Sequence, residues 1–211
     1  MMIVLAGMIG VGKTTYAQKL AESLGTTLFE EPVEDNPILP LYYRDLKRYA
    51  FALQIFFLNK RFKLIKEAFY EDNNVLDRSI YEDGLFTFIN YERGNITKEE
   101  YELYCDLVDN MMEELDSLPK KAPDLLVYLS AKPAYIFENI RKRGRDYEQP
   151  TKENGLEDYY KDLISHYEDW YKAYNKSAKI AIEVDQYDIL ENEKDWQEVL
   201  NTITNHLPTT K

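Results

Sequence analysis

Four short stretches carry residues whose types and spacing could do chemistry. The first, Gly7-Met8-Ile9-Gly10-Val11-Gly12-Lys13-Thr14, fulfils the pattern G-x-x-x-x-G-K-[ST]. Its glycines let successive backbone N–H groups turn inward and form an anion nest at a helix N-terminus. Lys13 would then reach the β- and γ-phosphates of a nucleotide, and the Thr14 hydroxyl would ligate Mg²⁺. The second stretch, FEEPVEDNP, places Glu30, Glu31, Glu34 and Asp35 close together. The third, LDRS, sets Asp77 beside Arg78. In the fourth, RKRGRDYEQ, Arg141, Lys142, Arg143 and Arg145 surround Gly144, a basic loop suited to covering a triphosphate. Phosphoryl transfer needs these parts: a nest, a metal, arginines for the equatorial oxygens and a carboxylate facing the acceptor hydroxyl.

They act together only if the chain gathers them at one place. Five β-type runs, at 2–7, 26–31, 74–79, 124–130 and 179–185, alternate with helical patterns. The helical patterns cover 14–24, 42–70, 81–90, 98–115, 133–143, 157–173 and 193–206, and Thr97 to Glu100 reads as a capping box. Several of the β-type runs are continuously apolar, as in strands buried on both faces of a parallel sheet. This order predicts an α/β fold, a five-stranded parallel sheet flanked by helices, in one domain over 1–211 with a lid near 141–150. Pro32 ends the second strand just past Glu31, and Asp77 and Arg78 end the third. Both acids therefore fall at the C-terminal sheet edge, where open α/β sheets bind ligands. One of them can serve Mg²⁺ or its water while the other faces an alcohol. Glu31, longer and on the acceptor side, is expected to be the base and Asp77 the metal-associated acid, with Asp77 as the alternative base.

Composition narrows the partners. Lys+Arg 26 against Asp+Glu 38 gives a net charge of −12, which argues against broad binding of nucleic acid or anionic membrane. A single cysteine, Cys105, excludes an intrachain disulfide framework and fits a reducing compartment. The apolar N-terminus is too short for a signal peptide and no run reaches membrane-spanning length, so a cytoplasmic protein is expected. His166 and His206 lie far apart and suggest surface or helix-packing roles. A GTPase should carry N-K-x-D, but NKRF has Phe62 where the base-reading acid belongs. Gln54 and Arg61, seven residues apart, share one helix face with Phe51 and Leu58, and a side-chain amide there is equipped to read a base edge.

Taken in order, GMIGVGKTT, EEPVEDNP, YYRDLKRYAFALQIFFLNKRF, LDRSIYED, RKRGRDYEQ and VDQYD resemble the deoxyribonucleoside kinase family, nearest its bacterial deoxyadenosine, deoxyguanosine and deoxycytidine kinases. The resemblance spans nearly the whole chain. It implies transfer of a phosphoryl group from ATP, with Mg²⁺, to the 5′-hydroxyl of a deoxynucleoside, deoxyadenosine first with deoxyguanosine or deoxycytidine as alternatives, by a homodimer. It implies that Gly7 to Thr15 hold the donor phosphates and that Glu31 contacts the 5′-hydroxyl. Tyr43 and Glu148 resemble the pair on the 3′-hydroxyl, and Gln54, Arg61 and Asp83 the base pocket. Arg78 resembles the arginine at the reacting phosphate, Arg143 and Arg145 those of the lid, with Arg141 nearby. The segment from Asp185 through Gln186 and Tyr187 resembles the loop over the ATP base. Two departures stand out: D-R-S replaces the commoner E-R-S, and Asn139 replaces a lid arginine.

Two rivals share the motifs. A thymidylate-type nucleoside monophosphate kinase would need extra cations for the acceptor's phosphate, and the acids around Glu31 oppose that. A P-loop nucleotide sensor would bind ATP without transferring phosphate.

Overall fold

In the computed structural model, residues 1–30, 36–70, 73–78, 80–115, 122–151 and 153–208 are described. The acidic stretch from Glu31 to Asp35 lies outside them. The apolar runs form five strands, β1 (Met2–Gly7), β2 (Thr27–Phe29), β3 (Asn74–Asp77), β4 (Leu125–Ser130) and β5 (Ala178–Glu183). The helices are α1 (Lys13–Leu24), α2 (Leu39–Arg44), α3 (Leu46–Tyr70), α4 (Ile80–Glu92), α5 (Lys98–Leu115), α6 (Pro133–Arg143), α7 (Leu156–Ala173) and α8 (Glu193–Thr204). All strand pairs are parallel, in the order β2-β3-β1-β4-β5. The expected five-stranded parallel sheet flanked by helices is the fold.

Period-two alternation assigns the two faces. Met2, Val4 and Ala6 of β1 join a core made with α3, α4, α5 and α7. Ile3 and Leu5 face the other way, onto Tyr16, Ala17 and Leu20 of α1 and Trp196, Val199 and Ile203 of α8. The register sets Leu5 beside Asp77 and Gly7 beside Leu129, so β1 delivers the phosphate loop to the edge where β3 ends.

The expected helix over 42–70 is two helices. Asp45, at φ −149°, breaks the run, and its Oδ1 accepts from Arg48 N at 3.0 Å to start α3 afresh. The chain enters α2 through Asn36, whose Oδ1 accepts from Ile38 N (2.9 Å) and Leu39 N (3.1 Å). The capping box at α5 forms in both directions, Thr97 N to Glu100 Oε2 (2.8 Å) and Glu100 N to Thr97 Oγ1 (3.2 Å). Strand β5 stops at Glu183 and a 3-10 turn takes Val184–Gln186. No helix of the described residues is long and apolar enough to cross a membrane.

Candidate active site

The loop between β1 and α1 is shaped by close approach. A Cβ on Gly7 would stand 2.5 Å from Leu129 O, and one on Gly10, at φ +83°, 2.7 Å from Ile140 Cγ1 and 2.9 Å from Ile136 O. Only glycine fits either position. The side chains of Met8 and Val11 are buried in the two cores, so these residues can offer a ligand only their backbone. Lys13 is buried, and its Nζ donates to Gly7 O (2.8 Å) and Met8 O (3.1 Å), fixing the ammonium inside the loop. Thr14 Oγ1 donates to Asp77 Oδ2 at 2.6 Å. Two oxygen donors from separate motifs thus meet beside the nest, a hard-oxygen set of the kind Mg²⁺ takes with phosphates.

Above this lies a cavity of about 580 Å³, a volume ordinary for a small-molecule site. One end is walled by Ile9, Gly10, Gly12, Lys13, Thr14 and Thr15, with Asp77 beside Thr14 and Arg78 next to it in sequence. Its far end is lined by Leu53, Gln54, Phe57, Arg61 and Phe86. Helix α3 supplies most of that end, with Gln54 and Arg61 buried on the face the seven-residue spacing gives them. Arg61 pairs with Asp83, which is buried behind the wall, and its guanidinium sits 4.6 Å from the centre of the Phe57 ring.

Tyr42, Tyr43, Tyr159 and Glu148 form the middle. Burial first, then the nearby Tyr160 and Glu148, push the Tyr43 hydroxyl well above its ordinary value. It is a neutral hydrogen-bonding group at any physiological pH. Two arginines of the basic loop meet on one carboxylate, Arg145 Nη1 at 3.1 Å from Glu148 Oε1 and Arg143 Nη1 at 3.4 Å from Glu148 Oε2. Tyr147 stacks on Tyr43 with ring centres 5.6 Å apart.

Arg78 is the residue with most backbone strain here. Its φ is +78°, outside the regions non-glycine residues prefer. Its N–H still donates to Leu5 O (3.0 Å), and its guanidinium lies 4.9 Å from the Phe86 ring centre.

Not every expected residue reaches the cavity. Arg141 is exposed on α6 and lines no part of it. Asn139 of α6 donates to Gly10 O at 3.0 Å, bracing the loop. Asp185, Gln186 and Tyr187 also stand off its walls: Asp185 pairs with Lys132 at 3.3 Å and Tyr187 packs against the core of α1 and α8. Glu31 lies outside the described residues. Glu30, next to it, lines the cavity and accepts from Gln18 Nε2 at 3.2 Å.

A family model described as deoxynucleoside kinase matches residues 3–208. The chain belongs to the deoxynucleoside kinase family. A deoxyguanosine kinase of Lactobacillus johnsonii is 51% identical, covering 95% of this chain and 90% of that protein. A deoxyadenosine kinase of Lactobacillus acidophilus is 45% identical, covering 97% and 95%. A solved structure of deoxyadenosine kinase from M. mycoides with bound dCTP overlays with a TM-score of 0.81 at 30% identity, over 97% of this chain and 100% of that one. The deoxynucleoside kinase is thus an enzyme of nucleoside salvage that takes phosphate from a nucleotide donor, and the monophosphate-kinase and sensor readings are not favoured.

Reasoning from sequence missed a polar layer under the site. Glu82, Tyr159, Tyr160 and Tyr167 are all buried. Tyr160 donates to Glu148 O (3.0 Å) and Tyr42 to Asn90 Oδ1 (3.0 Å), so their hydroxyls steady the wall. The one local hint was that Glu82, in the first turn of α4, follows Arg78 by four residues.

Proposed function

We propose that this kinase moves the γ-phosphate of ATP, with Mg²⁺, to the 5′-hydroxyl of a purine deoxynucleoside, deoxyguanosine first and deoxyadenosine second. What supports this most is that one cavity runs from the phosphate nest at Lys13 to the buried amide of Gln54. Lys13 and the loop N–H groups would hold the donor phosphates, and Arg78, Arg143 and Arg145 would neutralise the group in transit. Thr14 and Asp77 would hold Mg²⁺, which when bound offsets phosphate charge. Glu31 would orient the 5′-hydroxyl and take its proton late. Tyr43 and Glu148 would hold the 3′-hydroxyl. The turn at Asp185, at the same sheet edge, is assigned to the donor's base.

Gln54 can pair with either purine, since its amide both donates and accepts. Arg61 only donates, and guanine shows two adjacent acceptors, O6 and N7, where adenine pairs N7 with a donor. The 51% identity to a deoxyguanosine kinase favours the same base. We further infer a cytoplasmic homodimer, in keeping with the family resemblance, the single cysteine and the half-exposed Leu103 of α5.

The test is competition between deoxyguanosine and deoxyadenosine at equal concentration, repeated with Gln54→Ala. The wild type should prefer deoxyguanosine. The variant should lose about 1–3 kcal/mol in nucleoside kcat/KM, the cost of leaving a buried partner unpaired, with ATP KM unchanged. A preference for deoxyadenosine, or equal damage to the nucleoside and ATP constants, would refute the base assignment.

A further inference from the structure

Glu82 is wholly buried on the first turn of α4, behind the cavity wall and not part of it. One of its oxygens, Oε1, gathers three donors. Arg78 Nη1 donates at 2.7 Å, Gly7 N donates at 3.1 Å, and the Tyr167 hydroxyl makes a short contact. Tyr167 closes the ring. Its hydroxyl accepts from Arg78 Nη1 (3.2 Å) and lies 3.0 Å from Gly7 O, the same carbonyl that receives Lys13 Nζ at 2.8 Å. Oε2 has no hydrogen-bond partner among the described residues.

We propose that Glu82 is a positioning residue for phosphoryl transfer, tying the Arg78 guanidinium and the first peptide of the phosphate loop to one carboxylate oxygen. A buried carboxylate is costly unless charge and hydrogen bonds compensate it. An acid in the first turn of a helix gains dipole stabilisation at the surface as well, so helix capping does not call for full burial here. The donors to Oε1 instead come from a site arginine, the loop that holds phosphate and a tyrosine bridging the two. Arg78 needs such a hold, because its φ of +78° directs the side chain from a strained backbone. Through Gly7, the same carboxylate also fixes the carbonyl that anchors Lys13. Tyr167 is the second member of the clamp, and burial, with Glu82 the next cause, keeps its hydroxyl protonated.

The proposal rests on the reading of Arg78 as the arginine at the reacting phosphate, and a double-mutant cycle separates the two ideas. Glu82→Gln keeps the shape and an accepting oxygen but removes the charge. It should lower kcat about tenfold or more with both KM values within about threefold, at a near-normal melting temperature. Arg78→Ala should lower kcat further. The double variant should be no slower than Arg78→Ala alone, within about threefold, because Glu82 acts through Arg78. Tyr167→Phe should show a smaller loss of the same kind. Near-normal kcat in Glu82→Gln beside a crippled Arg78→Ala would overturn the proposal and leave the Arg78 reading standing. So would losses that multiply in the double variant, or a fall in kcat that only tracks loss of folded protein. Near-normal kcat in Arg78→Ala would overturn both.

Discussion

At the scale of the residue, we propose that two acids divide the chemistry, Glu31 after β2 in sequence and Asp77 at the end of β3. Asp77 holds the Thr14 hydroxyl at 2.6 Å, the arrangement expected of an acid that serves the metal. On this proposal Glu31 faces the acceptor. Glu31→Gln keeps one accepting oxygen and loses basicity, so turnover should fall by about 10²–10⁴ with nucleoside binding little changed. Asp77→Asn should instead raise the Mg²⁺ concentration needed for half-maximal rate. Steady-state kinetics across a Mg²⁺ series checks both. A dead Asp77→Asn at saturating Mg²⁺ beside an active Glu31→Gln would exchange the roles. Lys13, Thr14 and Asp77 were legible in the sequence because local patterns carry them. Glu82 was not, because two of its three partners lie 75 and 85 residues away. No local spacing encodes such a contact.

At the scale of the element, the glycine loop after β1 and helix α6 are packed together. Helix α6 packs on the loop at Gly10, where a Cβ would meet both Ile140 and the Ile136 carbonyl, and its Asn139 bonds Gly10 O. The same helix ends in Arg143 and leads to Arg145. Gly10→Ala should therefore strain a positive-φ residue, at a cost of about 1–2 kcal/mol, and push loop and α6 apart. We expect the KM for ATP to rise by about tenfold or more while the nucleoside KM stays within a few-fold, read from initial rates with each substrate varied. An unchanged KM for ATP would mean that the loop does not depend on α6. The number and parallel direction of the strands could be read from apolar runs alternating with helical patterns. The break at Asp45 could not, since the helical apolar pattern continues across it while a side-chain cap resets the backbone.

At the scale of the whole molecule, buried tyrosines link stability to pH. Burial pushes the hydroxyls of Tyr42, Tyr43 and Tyr167 well above the ordinary value of 10.0. Above about pH 10 the unfolded chain gives up these protons while the folded chain keeps them. The unfolded state then binds fewer protons, so stability falls with rising pH, by about 1.4 kcal/mol per unit for each such group. Below the unfolded value their contribution is constant. The melting temperature should drop steeply between pH 10 and 11 and less steeply in Tyr42→Phe, and a flat profile in the wild type would refute this. The net charge of −12 has a second consequence, since an anionic acceptor must approach a protein that repels it. With Glu30 on the cavity wall and Glu31 beside it in sequence, the acceptor end suits an uncharged nucleoside. The most direct measurement is the initial rate of ATP consumption with Mg²⁺ against four deoxynucleosides and their 5′-monophosphates. The account predicts that turnover depends on an added deoxynucleoside and is fastest with a purine one. Faster turnover of any monophosphate than of every deoxynucleoside would contradict it.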